Sequence, residues 1–108
     1  MEHLDSPLYY LGRYEEPILL RNLEGSPALI YTDSQGAQHL QRLTPELADL
    51  QTFQAVQWRE KEELLKALLL RGIEVYALDF APGQRLRLHA VRAALAYVQS
   101  HKTQNACL

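Results

Sequence analysis

Cysteine is almost absent: Cys107 stands alone among 108 residues. A lone thiol excludes an intrachain disulfide and with it the stapled secreted scaffolds. Its place also excludes prenylation, which needs a cysteine fourth from the end, so it reads as an exposed tail thiol. Long apolar runs are missing as well. No stretch approaches the roughly 18 to 20 apolar residues of a spanning helix, so no membrane segment is expected. Met1-Glu2-His3-Leu4-Asp5 has neither the basic nor the apolar region of a signal peptide. A reducing cytoplasm is the expected compartment.

Catalytic and cofactor signatures are missing too. The chain has no Gly-x-Ser-x-Gly and no His-Glu-x-x-His. The four histidines, His3, His39, His89 and His101, show no metal-ligand spacing. No catalytic residue, no metal and no cofactor are therefore expected. Glu60, Glu62 and Glu63 look like paired carboxylates, but they sit where a helix N-terminus favours acids.

The most informative absence is acid in the tail. All 13 acidic residues lie between Glu2 and Asp79. Residues 80–108 keep Arg85, Arg87, Arg92 and Lys102 with His89 and His101. The formal net charge of −2 thus hides an acidic stretch followed by a basic one. Such asymmetry points to a small anion or an acidic protein partner. Four basic side chains without interleaved aromatics do not make a nucleic-acid binder.

What is present fits one compact domain over 1–108, with 47% hydrophobic and 22% charged residues. A chain this small buries a modest share of its surface, so a homo-oligomer is expected. Residues 1–14 are read as an arm. Ser6-Pro7 starts a short helix over 7–11 that Gly12 ends. Leu8, Tyr9, Tyr10, Leu11 and Tyr14 are its candidate dimer interface, because tyrosine suits half-buried contacts.

Ile18-Leu19-Leu20 and Ala28 to Thr32 read as an antiparallel hairpin around the turn chemistry of 22–27. Asp33-Ser34-Gln35-Gly36 fits either another hairpin tip or a helix start. Ala37, Leu40 and Leu43 at helical spacing favour a helix over 34–42. Thr44-Pro45-Glu46 opens a short helical element ending near Leu50. Phe53 to Trp58 alternates as a strand. Arg59 to Arg71 is a helix with Leu64, Leu65, Leu68 and Leu69 on its buried side, a Glu62–Lys66 pair and Gly72 as its C′ residue. Ile73 to Phe80 is a strand. A long helix follows from about Leu86 or Leu88 to His101, with 102–108 as a flexible tail.

Strand, helix and strand from Phe53 to Phe80 have the length of a βαβ unit, which implies parallel strands and a right-handed crossover. The expected fold is a single α/β sandwich with a mixed sheet of about four strands. It would have an N-terminal hairpin, a C-terminal βαβα unit and helices mainly on one face.

Three stretches, Pro27-Ala28-Leu29-Ile30-Tyr31-Thr32-Asp33-Ser34, Trp58-Arg59 to Leu70, and Gly72-Ile73-Glu74-Val75-Tyr76-Ala77-Leu78-Asp79, follow in an order that resembles the SseB-type N-terminal domains, a family of small bacterial α/β domains. That family closes the last strand with an Asn-Pro-Gly turn; here it is Ala81-Pro82-Gly83, without the Asn. The resemblance implies a non-enzymatic domain and a helix over 34–42. It brings no catalytic residues.

One local site stands out. Asp79 lies at a strand end, where open α/β sheets bind ligands. Gly83 follows in a turn. A helix at 100° per residue would place Arg85, His89 and Arg92 on one strip about 60° wide. These five residues are the candidate site for a phosphate or carboxylate. The leading functional expectation is a self-associating cytoplasmic interaction or regulatory module, and the alternative is an anion binder at 79–92.

Overall fold

The computed structural model describes residues 2–13, 16–20 and 26–106, with residues 102–106 as backbone alone. A 3-10 turn (Glu2–Asp5) leads into β1 (Leu8–Arg13), β2 (Glu16–Pro17) and β3 (Ala28–Ile30). Next come α1 (Ser34–Leu43), a second 3-10 turn (Pro45–Leu47), β4 (Gln51–Ala55) and α2 (Trp58–Leu70). The chain ends with β5 (Val75–Leu78), β6 (Leu88–Ala90) and α3 (Val91–Ala106).

The strands form two three-stranded sheets, β2-β1-β4 and β3-β5-β6. Tyr9 and Tyr31 knit them together through reciprocal N–H to carbonyl bonds of 2.7 Å each. Residues 16–20 wedge into the seam. Ile18 N–H donates to Leu11 O at 3.1 Å, and Leu29 N–H donates to Ile18 O at 3.0 Å. Read across the molecule, the long succession is β4-β1-β3-β5-β6, with β4 and β6 at its two ends. Only β3 and β5 pair in parallel; β1–β4 and β5–β6 are antiparallel. Since β1 also meets β3 antiparallel, the two end strands run in opposite directions.

Strand alternation sorts the core into two clusters. Leu8, Tyr10, Ala28, Ile30, Tyr76 and Leu78 face one side, against Leu64, Leu65 and Leu68 of α2 and Val91, Ala94 and Val98 of α3. Leu11, Leu29, Tyr31 and Ala77 face the other, against Ala37 and Leu40 of α1. The two long helices, α2 and α3, thus share one face, and the shorter α1 covers the other.

Several local readings hold. Helix α1 forms where expected, with the Asp33 carboxylate accepting from Gln35 N at 2.8 Å as its cap. Ala37 and Leu40 are buried while Leu43 is exposed. Helix α2 starts with a capping box between Gln57 and Glu60 and ends in a Schellman motif. There Ile73 N–H reaches Leu68 O at 2.9 Å, Gly72 N–H reaches Leu69 O at 3.0 Å, and Gly72 takes φ 79°. The hairpin of 18–20 with 28–32 is present as an antiparallel bridge between Leu19 and Ala28; its turn at 22–25 lies outside the described residues.

Several expectations fail for identifiable reasons. Where a helix over 7–11 is expected, residues 8–13 are strand, because Leu8 and Tyr10 bury on one face while Leu11 buries on the other, and period-two burial on both sides cannot be served by a helix. Gly12 does not end a helix. A Cβ there would lie 2.0 Å from Glu16 O, so the glycine admits the close crossing of β1 and β2. The strands joined through α2 run the same way but are not neighbours: β4 pairs with β1, and the parallel partner of β5 is β3, whose residues are buried on both faces. The last helix starts at Val91, not near Leu86 or Leu88. Residues 88–90 instead complete the hydrogen bonds of β5, with Leu78 N–H on Arg87 O and Val91 N–H on Glu74 O, both 2.9 Å. Helical backbone then continues through 102–106, where the sequence leads one to expect the start of a flexible tail.

Candidate functional site

The strip that joined Arg85, His89 and Arg92 does not exist. Arg85 lies in the loop after the Gly83 turn, His89 in β6 and Arg92 in the first turn of α3. Arg85 and Arg92 are exposed, and Arg92 makes a loose 3.8 Å pair with Glu74. Asp79 is engaged elsewhere. Its carboxylate accepts from Thr32 N at 2.8 Å and from Thr32 Oγ1 at 2.9 and 3.1 Å. Its backbone sits at φ 53°, a region disfavoured for a non-glycine residue, and these three bonds hold it there. Tyr31 Oη donates to Phe80 O at 2.7 Å beside it, and burial pushes the Tyr31 hydroxyl pKa up. Asp79 thus fastens the end of β5 to the turn that starts α1. A cleft of about 530 Å³ opens there, lined by Thr32, Asp33, His39 and Arg42.

The candidate interface residues also go inward. Leu8, Tyr10 and Leu11 are buried in this chain's own core, and Tyr9 is bonded to Tyr31 across the seam. Tyr14 and Cys107 lie outside the described residues. The N-terminal turn that precedes them acts as a strap. Leu4 is fully buried. Lys61 Nζ, 4.5 Å above the Trp58 ring, donates to Leu4 O at 2.7 Å. Tyr97 Oη donates to Asp5 at 2.8 Å. His3 Nε2 meets Tyr76 Oη at 2.7 Å, and its ring centroid is 4.7 Å from that of His89. Burial, then the nearby charges of His89 and Arg87, hold the His3 pKa down at about 4, against a smaller opposing pull from Asp79. The His89 pKa is lowered by burial and by Arg87. Among the described residues no three His, Cys, Asp or Glu converge on a metal position.

The remaining candidate is the pair of sheet ends. In an antiparallel pair, main-chain groups point alternately toward and away from the neighbour. Tyr9 and Leu11 bond toward the seam, so Leu8, Tyr10 and Gly12 bond toward β4, at Ala55, Phe53 and Gln51. Thr52 and Gln54 consequently aim their N–H and C=O groups outward, and among the described residues nothing bonds to them. A groove of about 320 Å³ runs between this edge and α2, floored by Tyr10 and Phe53 and walled by Glu60, Glu63, Leu64 and Ala67. The two rings are stacked with centroids 5.5 Å apart. Two main-chain N–H bonds, from Gln57 and Val56, lower the Glu60 carboxyl pKa. Glu63 is exposed and holds Arg59 at 3.4 Å.

The opposite end is similar in backbone and reversed in charge. Arg87, His89 and Val91 bond toward β5, so Leu88 and Ala90 face outward. Leu88 is 48% exposed and Ala90 is exposed. Arg87 and His89 lie on the α2–α3 face, opposite Leu78 and Tyr76. Arg85 and Arg87 make no ion pair among the described residues. Of the five residues first named as the anion site, His89 alone belongs to this end strand, with Arg92 just beyond it. Thr52, Gln54 and Leu88 are not among the candidate residues of the sequence, and Glu63 and Arg87 enter it only as part of an acidic helix start and of the basic tail. One signal existed: Gln51-Thr52-Phe53-Gln54-Ala55 contains none of the charges or prolines that protect an edge strand.

No protein-family model matches the chain, and a search of curated proteins gives no match.

Proposed function

We propose that this chain is a non-enzymatic interaction module that accepts an extended strand at an open sheet end. The observation that carries the reading is the β4 edge. Its outward N–H and C=O groups at Thr52 and Gln54 are an unfilled ladder beside an aromatic-floored groove. Strand addition uses these two features together: main-chain bonds supply affinity and the groove reads alternate side chains. A bare, uncharged edge is otherwise a liability that folded proteins cover.

The test is selection of displayed ten-residue peptides on the wild-type chain. Binders should lose affinity in Gln54→Pro, which removes one outward N–H without touching the β1–β4 bonds. Binders indifferent to Gln54→Pro would move the surface elsewhere and contradict the reading.

A further inference from the structure

We infer that the strand accepted by β4 is β6 of a second copy, so that the chain self-associates head to tail. This deepens the strand-accepting reading and rests on it. Four independent matches support the choice of occupant.

The first is direction. β4 and β6 run oppositely within one molecule, so a copy added without reversal brings its β6 antiparallel to β4. The second is spacing. Each edge offers two outward residues separated by one, Thr52 and Gln54 on β4, Leu88 and Ala90 on β6. Setting Thr52 opposite Ala90 and Gln54 opposite Leu88 of the next copy fills both ladders. The third is face. That register puts Phe53 opposite His89, and both lie on the α2–α3 side of their sheets. A continuous sheet would therefore keep its helical layers aligned.

The fourth is charge. The same register sets Arg87 opposite Ala55, which lines the groove walled by Glu60 and Glu63. Both glutamates are exposed and Arg87 has no ion pair of its own among the described residues. A two-fold dimer through β4 alone would instead place Glu60 and Glu63 of two copies around one axis, where like charges repel. Head-to-tail addition replaces that repulsion with attraction. It also gives a use to the acid-free C-terminal sequence, whose arginines collect at the β6 end.

Such a contact joins two different surfaces, so it closes as a ring only at a special rotation and otherwise propagates. Strand twist of roughly −20 to −25° per step over five strand positions turns each copy by roughly 100 to 125°, which favours an open screw.

Sedimentation velocity over a concentration series tests this. At about 20 mM salt the wild-type mass should climb past a dimer, and at about 500 mM, where screening shortens to a few ångströms, it should fall back. Glu63→Lys and Arg87→Glu each change one exposed residue and should each weaken association roughly tenfold. An equimolar mixture of the two should recover it, because each variant then offers the other a complementary end. A monomer at every concentration in low salt overturns the inference, as does a mixture no more associated than its components. If peptides still bind through a Gln54→Pro-sensitive edge while the chain stays monomeric, the strand-accepting reading stands and this choice of partner falls.

Discussion

The two ends of the sheet share a backbone plan and differ in almost everything carried on it. β4 is uncharged along its own length and borders two glutamates from α2. β6 carries a histidine, follows Arg87, precedes Arg92 and has beside it Glu74, which Arg92 loosely holds. Glu60 and Glu63 from the acidic stretch thus stand at one end of the strand succession and Arg87 from the basic stretch at the other. Residues far apart in sequence, Glu63 and Arg87, become the poles of a directional object. The strap at the N-terminus ties the two ends into one body, since it touches α2 through Lys61, α3 through Tyr97 and the β5–β6 pair through His3.

The largest expected effect breaks the support under the β4 end. Leu68 is fully buried on α2, and Leu68→Ala should cost about 2 to 5 kcal/mol by denaturant unfolding. A cost under about 1 kcal/mol would mean that α2 does not brace that end. The second loosens the strap. Lys61 is 2% exposed, and Lys61→Ala leaves Leu4 O without its buried donor, at a cost of about 1 to 3 kcal/mol. Unfolding measured at both ends, through Trp58 fluorescence and β6 amide exchange, should then cease to coincide.

The third prediction separates the ends by pH. The folded pKa of His3, about 4, lies below its unfolded value near 6.5, so the native state holds the neutral ring. Its contribution to stability is complete above pH 6.5, declines as pH falls, and levels off below pH 4. The ring is partly wetted, so the loss should amount to roughly 1 to 2 kcal/mol. His89, lowered in the same sense, adds to it. The groups facing His3 are Tyr76, His89, Arg87 and Asp79. The difference between wild type and His3→Phe, followed from pH 7 to pH 5, isolates this slope from the carboxylates; parallel curves would contradict it. The smallest effect sharpens the comparison. Glu63→Lys and Arg87→Glu should each change stability by less than about 0.5 kcal/mol, because both ends are rims of the fold and not its core.

Local rules made much of this fold readable. The helix over 34–42 and the Gly72 C′ position are each set within a few residues, and each is found where the sequence placed it; the Gln57–Glu60 capping box is equally local but lies outside the sequence expectations. What could not be read was pairing. Leu8 to Leu11 alternates large apolar residues on both faces of a central strand, and such a run carries no polar face to reveal its period. Residues 88–90 looked helical because alanines and leucines continue into α3; only the bonding demand of β5 makes them strand. The candidate site inherited both errors. Asp79 was found from its strand-end position, yet its partner, Thr32, is 47 residues away in sequence. The two open ends are a property of sheet order, which depends on β4 joining β1 and leaving β5 to β3.

Amide hydrogen exchange, resolved by residue in dilute and concentrated solution, tests the central claim most directly. The account predicts that Thr52 and Gln54 exchange fast in dilute protein while Phe53 between them and Ala55 next to them are protected. Leu88 and Ala90 should be fast in the same way. On concentration all four fast amides should slow together, while Phe53 and Ala55 change little. Protection at Thr52 and Gln54 equal to that at Phe53 in dilute solution, or slowing of one end without the other, would contradict it.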